Sequence, residues 1–220
     1  MGLVEFAAAK TLASSAVFLF ITVLLIAAAK RIKACIVLFA IQCAVITAQI
    51  AALAFMRHSA EAFAVAAVVF AVKVIAIPYA LLRISRQLKV TPAVVVSTTP
   101  VQSVFIVAGL MLLAFAVVQP YARAFALDSE MLAAATAIVL TGGFLMVSRK
   151  KALMQVIGLL VLENGIFLAA LTTTFGMPFV VEMGIFFDLL VCVLLLGIFI
   201  FRIRDTFEHV DVTRLRRLKG

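Results

Sequence analysis

The chain has 220 residues, of which 66% are hydrophobic, with a mean hydropathy of +1.28 and a formal net charge of +9. A soluble domain of this length does not carry so much apolar surface; a bundle of membrane-spanning helices does. The basic residues lie in short clusters between long apolar runs, which is a topology pattern and excludes a phosphate-binding face for nucleic acid.

Seven apolar runs follow one another, each long enough to span a bilayer with some tilt: 11–29, 34–56, 62–82, 94–119, 131–148, 152–174 and 178–201. The first is longer than a signal-peptide core, and its strong positive cluster comes after it, so it is expected to remain as a spanning helix. Backbone groups in lipid must be satisfied within the segment, so the runs are expected to be helices. Pro92, Pro100, Pro120 and Pro178 fall at or near run ends. Pro78 falls inside the third run and is expected to loosen the backbone bond to Val74.

The charges sort by side. Lys30, Arg31 and Lys33 follow the first run, Arg83, Arg86 and Lys89 the third, and Arg149, Lys150 and Lys151 the fifth. Arg202, Arg204, Arg214, Arg216, Arg217 and Lys219 follow the seventh, whereas only Lys10, Arg57 and Arg123 fall on the other side. This bias predicts a cytoplasmic C-terminus and an outer N-terminus. An ungapped offset of 121 residues lays Lys30 on Lys151, Gln42 on Glu163 and Glu61 on Glu182. The expected fold is therefore an all-α membrane bundle of about seven helices. Two parallel three-helix repeats (1–91 and 129–202) would be joined by a linking helix (92–128), followed by a basic cytoplasmic tail (203–220). The alternative is that any two apolar three-helix units align this well.

Four ionisable residues fall within the runs: Lys73, Glu163, Glu182 and Asp188. Glu163, in the stretch GLLVLENGIFLAALTTT, lies close to the membrane midplane, where a charge costs roughly 2.5–3.5 kcal/mol on insertion scales. Lys73 and Asp188 come at similar depth, and Glu182 about one turn in from the outer end. Gln42 and Gln49 add polar groups above and below that level, and Asn164 is placed to bond a second helix. A polar belt at mid-depth is the layout of a proton or ion path. The competing reading is packing, with Lys73 and a carboxylate forming a buried ion pair that fixes the helices. The Phe and Leu stripes read as lipid-facing surface or packing. The basic tail reads as a topology anchor or a contact with anionic lipid.

Cys35, Cys43 and Cys192 show no CxxC spacing, and His58 and His209 lie outside the runs, leaving no axial pair for a haem. With no nucleophile–base pair, phosphate loop or metal constellation, no catalytic site and no cofactor are expected in this chain.

The order IGLLVLENGIF, then VEMGIFFDLLV, then DVTRLRRLKG resembles component E of hydrogenase-4, a membrane subunit of group 4 [NiFe]-hydrogenase and formate hydrogenlyase complexes. The resemblance takes in Lys73 before Pro78 and is strongest from Arg149 onward. The last three runs are also similar to the K subunit of respiratory complex I and, more distantly, to the C component of multisubunit Na⁺/H⁺ antiporters. In the K subunit, carboxylates on consecutive helices belong to the proton path. Glu163 falls on the first and Asp188 on the second, as Asp in place of the usual Glu. The resemblance implies a bacterial or archaeal cytoplasmic-membrane protein that helps convert a redox reaction to ion movement. Its partners would be antiporter-like membrane subunits and a cytoplasmic redox arm. Glu163 and Asp188 would exchange protons, with Lys73 as charge partner and Glu182 as an outer relay. The rivals are a structural scaffold for larger membrane subunits and a stand-alone small transporter.

Overall fold

The computed structural model describes residues 3–56, 60–87, 99–124, 128–173 and 184. These are helical, with no strand among them. They form α1 (Leu3–Ala28), α2 (Ile32–Met56), α3 (Ala60–Val69), a π-helical segment (Phe70–Ala76), α4 (Ile77–Gln87), α5 (Pro100–Ala124), α6 (Ser129–Ser148) and α7 (Ala152–Thr173). Within the described residues, five stretches are long and apolar enough to cross a membrane: Ile32–Ala52, Phe63–Arg86, Pro100–Ala122, Ser129–Ser148 and Ala152–Thr173. Ser15–Ala28 is a shorter apolar stretch of α1. The seventh run, with Glu182 and Asp188, lies outside the described residues except for Gly184.

Apart from α4, which ends in Arg83, Arg86 and Gln87, the helices are apolar on both faces. Leu19, Phe39, Ile46, Ile138 and Leu160 fill the interior, while Phe18, Phe105, Leu112, Val147 and Ile166 point outward and are exposed. A soluble helix would turn a polar face to water; one apolar all round belongs in lipid. Thr22, Thr47, Thr136, Thr141, Thr172 and Thr173 return their hydroxyls to carbonyls three or four residues earlier in their own helices. These threonines are thereby satisfied without any partner helix.

Helix starts are written in the sequence. Thr99 and Gln102 make a reciprocal capping box, Gln102 N–H to Thr99 Oγ1 at 3.2 Å and Thr99 N–H to Gln102 Oε1 at 2.9 Å. Pro100 then takes the first helical position, where its missing N–H costs nothing. Asp128 caps α6 by accepting from the Glu130 and Met131 amides, each at 3.1 Å.

Among the described residues the α6–α7 hairpin packs most closely, and glycine makes it so. A Cβ at Gly142 would lie 2.6 Å from Leu162 Cα, one at Gly158 2.9 Å from Met146 N, and one at Gly165 2.6 Å from Val139 N. Backbone therefore packs on backbone, the geometry small residues permit between helices in lipid. Gly158 and Gly165 are seven residues apart, as are Val139 and Met146, so the contacts recur every two turns.

Candidate functional site: a buried lysine–glutamate pair

Lys73 is carried into the core by an irregular piece of helix. Pro78 has no N–H to give to Val74 O, and its ring crowds that carbonyl. Val72, Val74 and Ile75 are β-branched and weaken the preceding turns. The chain answers by widening: Ile77 N–H bonds Val72 O, five residues back, and Phe70–Ala76 is π-helical. The loosening expected at Pro78 is thus a whole π segment, with Lys73 at its centre.

Lys73 is 1% exposed and Glu163 4%. Lys73 Nζ lies 2.5 Å from Glu163 Oε1 and donates at 3.2 Å to Asn164 Oδ1. The ammonium also sits 5.2 Å from the centroid of the Phe167 ring, within cation–π range. Glu163 and Phe167 are four residues apart and so share a face of α7, whereas Asn164 is turned by about 100° toward α2. Its amide donates to Gln42 Oε1 at 3.3 Å and to Cys43 Sγ at 3.2 Å. One network thus ties together α2, the π segment and α7. From the Arg149 end, Gln42 lies ten residues into α2 and Glu163 eleven into α7. Both are therefore about 15–17 Å along their helices, at half the thickness of a bilayer core.

A charge pair removed from water must recover its solvation from each other and from fixed dipoles. Nζ has a carboxylate oxygen, an amide oxygen and an aromatic face. Glu163 is served on one side only: Oε2 is buried and has no hydrogen-bond partner among the described residues. Chemically, that oxygen keeps its lone pairs open beside a fixed cation.

Of the four residues singled out in the sequence, Lys73 and Glu163 meet. Glu182 and Asp188 lie outside the described residues. Gln42 stands at the level of the pair, bonded into it through Asn164, while Gln49 is two turns away. Phe167 corrects the reading of phenylalanines as lipid surface or packing alone. It is 4% exposed and lies beside the ammonium; its place four residues after Glu163 was the signal.

Arg149, read as one of a topology cluster, has a further role. It is 3% exposed, and its Nη2 donates at 2.6 Å to Ala27 O, one of the carbonyls left open at the end of α1. Burial lowers its pKa from the usual arginine value. Gln155 Nε2 in turn donates to Arg149 O at 3.1 Å. Nothing in the spacing of Arg149, Lys150 and Lys151 distinguishes the buried member. Among the described residues there is no group of three or more His, Cys, Asp or Glu that could hold a metal ion.

Fold and site together define an all-helical membrane protein with a buried ion pair at the centre of its bundle. The chain is 35% identical over 162 residues to a Mycobacterium tuberculosis protein described as "Uncharacterized protein Rv0085", covering 71% of this chain and 72% of that one. The chain belongs to the same family as that protein. No family model matches the chain, and no solved structure matches it.

Proposed function

We propose that this chain is a membrane subunit of a hydrogenase-type or respiratory complex, akin to hydrogenase-4 component E, and that Glu163 exchanges a proton or Na⁺ during coupled ion movement. The observation that carries the reading is the asymmetry of Glu163. One oxygen is held by Lys73 and the other is buried and has no partner among the described residues. A pair serving packing alone gains by satisfying both oxygens, because an unmet buried acceptor is destabilising. A group that takes up and releases a cation needs one free. Lys73 is the charge partner that holds the carboxylate in place.

In this reading seven helices span the cytoplasmic membrane of a bacterium or archaeon, with the C-terminus inside. Asp188 is the second exchanging carboxylate and Glu182 an outer relay. Gly184, four residues before Asp188 in the chain, supports this placement: a Cβ there would lie 2.7 Å from Phe167 Cδ2, next to the pair. Two parallel three-helix repeats also accord with the contacts. Asn164 bonds Cys43, 121 positions away, and Gln42, 122 away, and Arg149 bonds Ala27, 122 away. Contacts between positions one repeat apart are what a two-fold axis between α2 and α7 produces. In this reading the chain needs no redox centre or catalytic site of its own. Electrons pass through partner subunits, and antiporter-like subunits lie beside it in the membrane.

Mild-detergent purification of the tagged chain from its native membrane tests the assembly. Antiporter-like and [NiFe]-type redox subunits are expected in stoichiometric amounts. A chain that leaves the membrane alone and transports a solute in vesicles would overturn the reading in favour of a stand-alone transporter.

A further inference from the structure

The surroundings of the Lys73–Glu163 pair differ above and below it. Toward the Arg149 end, α2 contributes Ile32, Cys35, Ile36 and Phe39, and α7 contributes Met154 and Ile157, all fully buried. Between the pair and the buried Ser148 and Arg149, whose Oγ and Nε also lack a partner among the described residues, these side chains form an apolar plug. At the level of the pair α2 carries Gln42, and toward the end where α6 begins it carries Gln49. Seven residues separate them, so they fall on one face, offset by about 20°, and about 10 Å apart along the helix.

Gln42 Oε1 accepts from Asn164, and Gln49 Nε2 donates to Ser15 Oγ at 2.6 Å and lies 4.0 Å from Met131 Sδ. The other atom of each amide, Gln42 Nε2 and Gln49 Oε1, is buried without a partner among the described residues. Gln42 is 0% exposed and Gln49 6%. The two atoms are of opposite type, one a donor and the other an acceptor, and their residues share one face of α2. Unmet amide groups in an apolar interior call for a small polar ligand that both donates and accepts. Ile46, 1% exposed, stands between the two amides.

We propose that Gln42 and Gln49 mark a hydrated half-path from Glu163 to the end of the bundle where α6 begins, with Ile46 as its constriction and the Arg149 end closed. The ligand class is water together with a small cation it can carry, and Ser15 and Met131 flank the outer part of the path. The identity of the travelling ion rests on the function proposed above; the existence of the path does not.

The test uses the full chain in sealed vesicles of defined orientation, with Cys35→Ala, Cys43→Ser and Cys192→Ala. Single cysteines are placed at Ile46 and Gln49 and, for comparison, at Ile36 and Phe39. The probe is a small cationic, membrane-impermeant methanethiosulfonate. Added from the side where α6 begins, it is expected to label Ile46→Cys and Gln49→Cys on the order of a hundredfold faster than Ile36→Cys and Phe39→Cys, because an apolar plug excludes charge. Added from the Arg149 side it labels none of them rapidly. Equal rates at all four positions, or faster labelling from the Arg149 side, overturn the proposal. Should Gln49→Cys fail to fold, the conservative Ile46→Cys decides the outcome. Labelling as expected together with undiminished ion movement in Glu163→Gln would leave the path standing and remove the function assigned to Glu163.

Discussion

Removing one member of the Lys73–Glu163 pair should destabilise the bundle more than removing both. With side chains 2% and 5% exposed and 2.5 Å between Nζ and Oε1, neither group can turn to water when its partner is lost. Breaking a buried pair from one side costs about 3–5 kcal/mol in soluble proteins, and replacing both members by apolar or neutral groups is often close to neutral. Interhelical polar contacts in lipid fall at the lower end, since the unfolded helices also find partners. We therefore expect about 3 kcal/mol for Lys73→Met, about 3 for Glu163→Gln and about 2 for the double variant, a coupling of about 4 kcal/mol. The measurement is unfolding of the detergent-solubilised protein by sodium dodecyl sulfate, followed by circular dichroism. Additive losses, with the double variant about 6 kcal/mol below wild type, would refute the pairing.

Gly142→Ala should separate α6 from α7 and cost about 2 kcal/mol or more by overpacking, whereas Gly143→Ala, whose Cβ would meet nothing within 4 Å, should be neutral or slightly stabilising; the same unfolding assay compares them. Pro78→Ala restores an N–H for Val74 O and should tighten the π segment, turning Lys73 about 100° from Glu163; a cysteine cross-link engineered between positions 73 and 163 should then form slowly or not at all, whereas efficient cross-linking would show that proline does not set the register. Arg149→Ala should cost about 1.5–3 kcal/mol, the worth of a hydrogen bond from a charged donor, and free the end of α1 to hydrogen exchange. Burial lowers the Arg149 pKa, and a lowered folded-state pKa in a base makes its charged form destabilising below the unfolded value. The guanidinium nonetheless stays protonated in both states around neutrality, so the pH dependence of stability between about pH 6 and 9 should be unchanged by the substitution.

How much of this could be read beforehand differs from element to element. The helices were legible because lipid leaves the backbone one solution, and runs such as 131–148 and 152–174 differ from α6 and α7 by a residue or two. Glu163 was legible because a carboxylate in an apolar stretch is expensive anywhere. Shared depth left Lys73 open to pairing with either Glu163 or Asp188. Depth fixes height and not rotation, so the choice of Lys73 and the turn of Asn164 toward Gln42 needed the structure. The π segment was foreshadowed by Pro78, but a missing donor does not say whether a helix kinks or widens. Arg149 was not legible at all. Three consecutive basic residues look alike in sequence, and which one is buried depends on where the end of α1 comes to rest.

In the function proposed above, Glu163 moves a cation rather than merely holding helices together. The double variant Lys73→Met/Glu163→Gln separates these roles, because it removes the exchanging oxygen while sparing the bundle an unpaired charge. The decisive measurement is ion translocation per redox turnover in vesicles containing the assembled complex with this variant. Normal assembly and electron transfer are expected, with translocation reduced at least about tenfold, as for loss of a proton-transferring group. Translocation at the wild-type ratio in intact complexes would contradict a cation-moving role for Glu163.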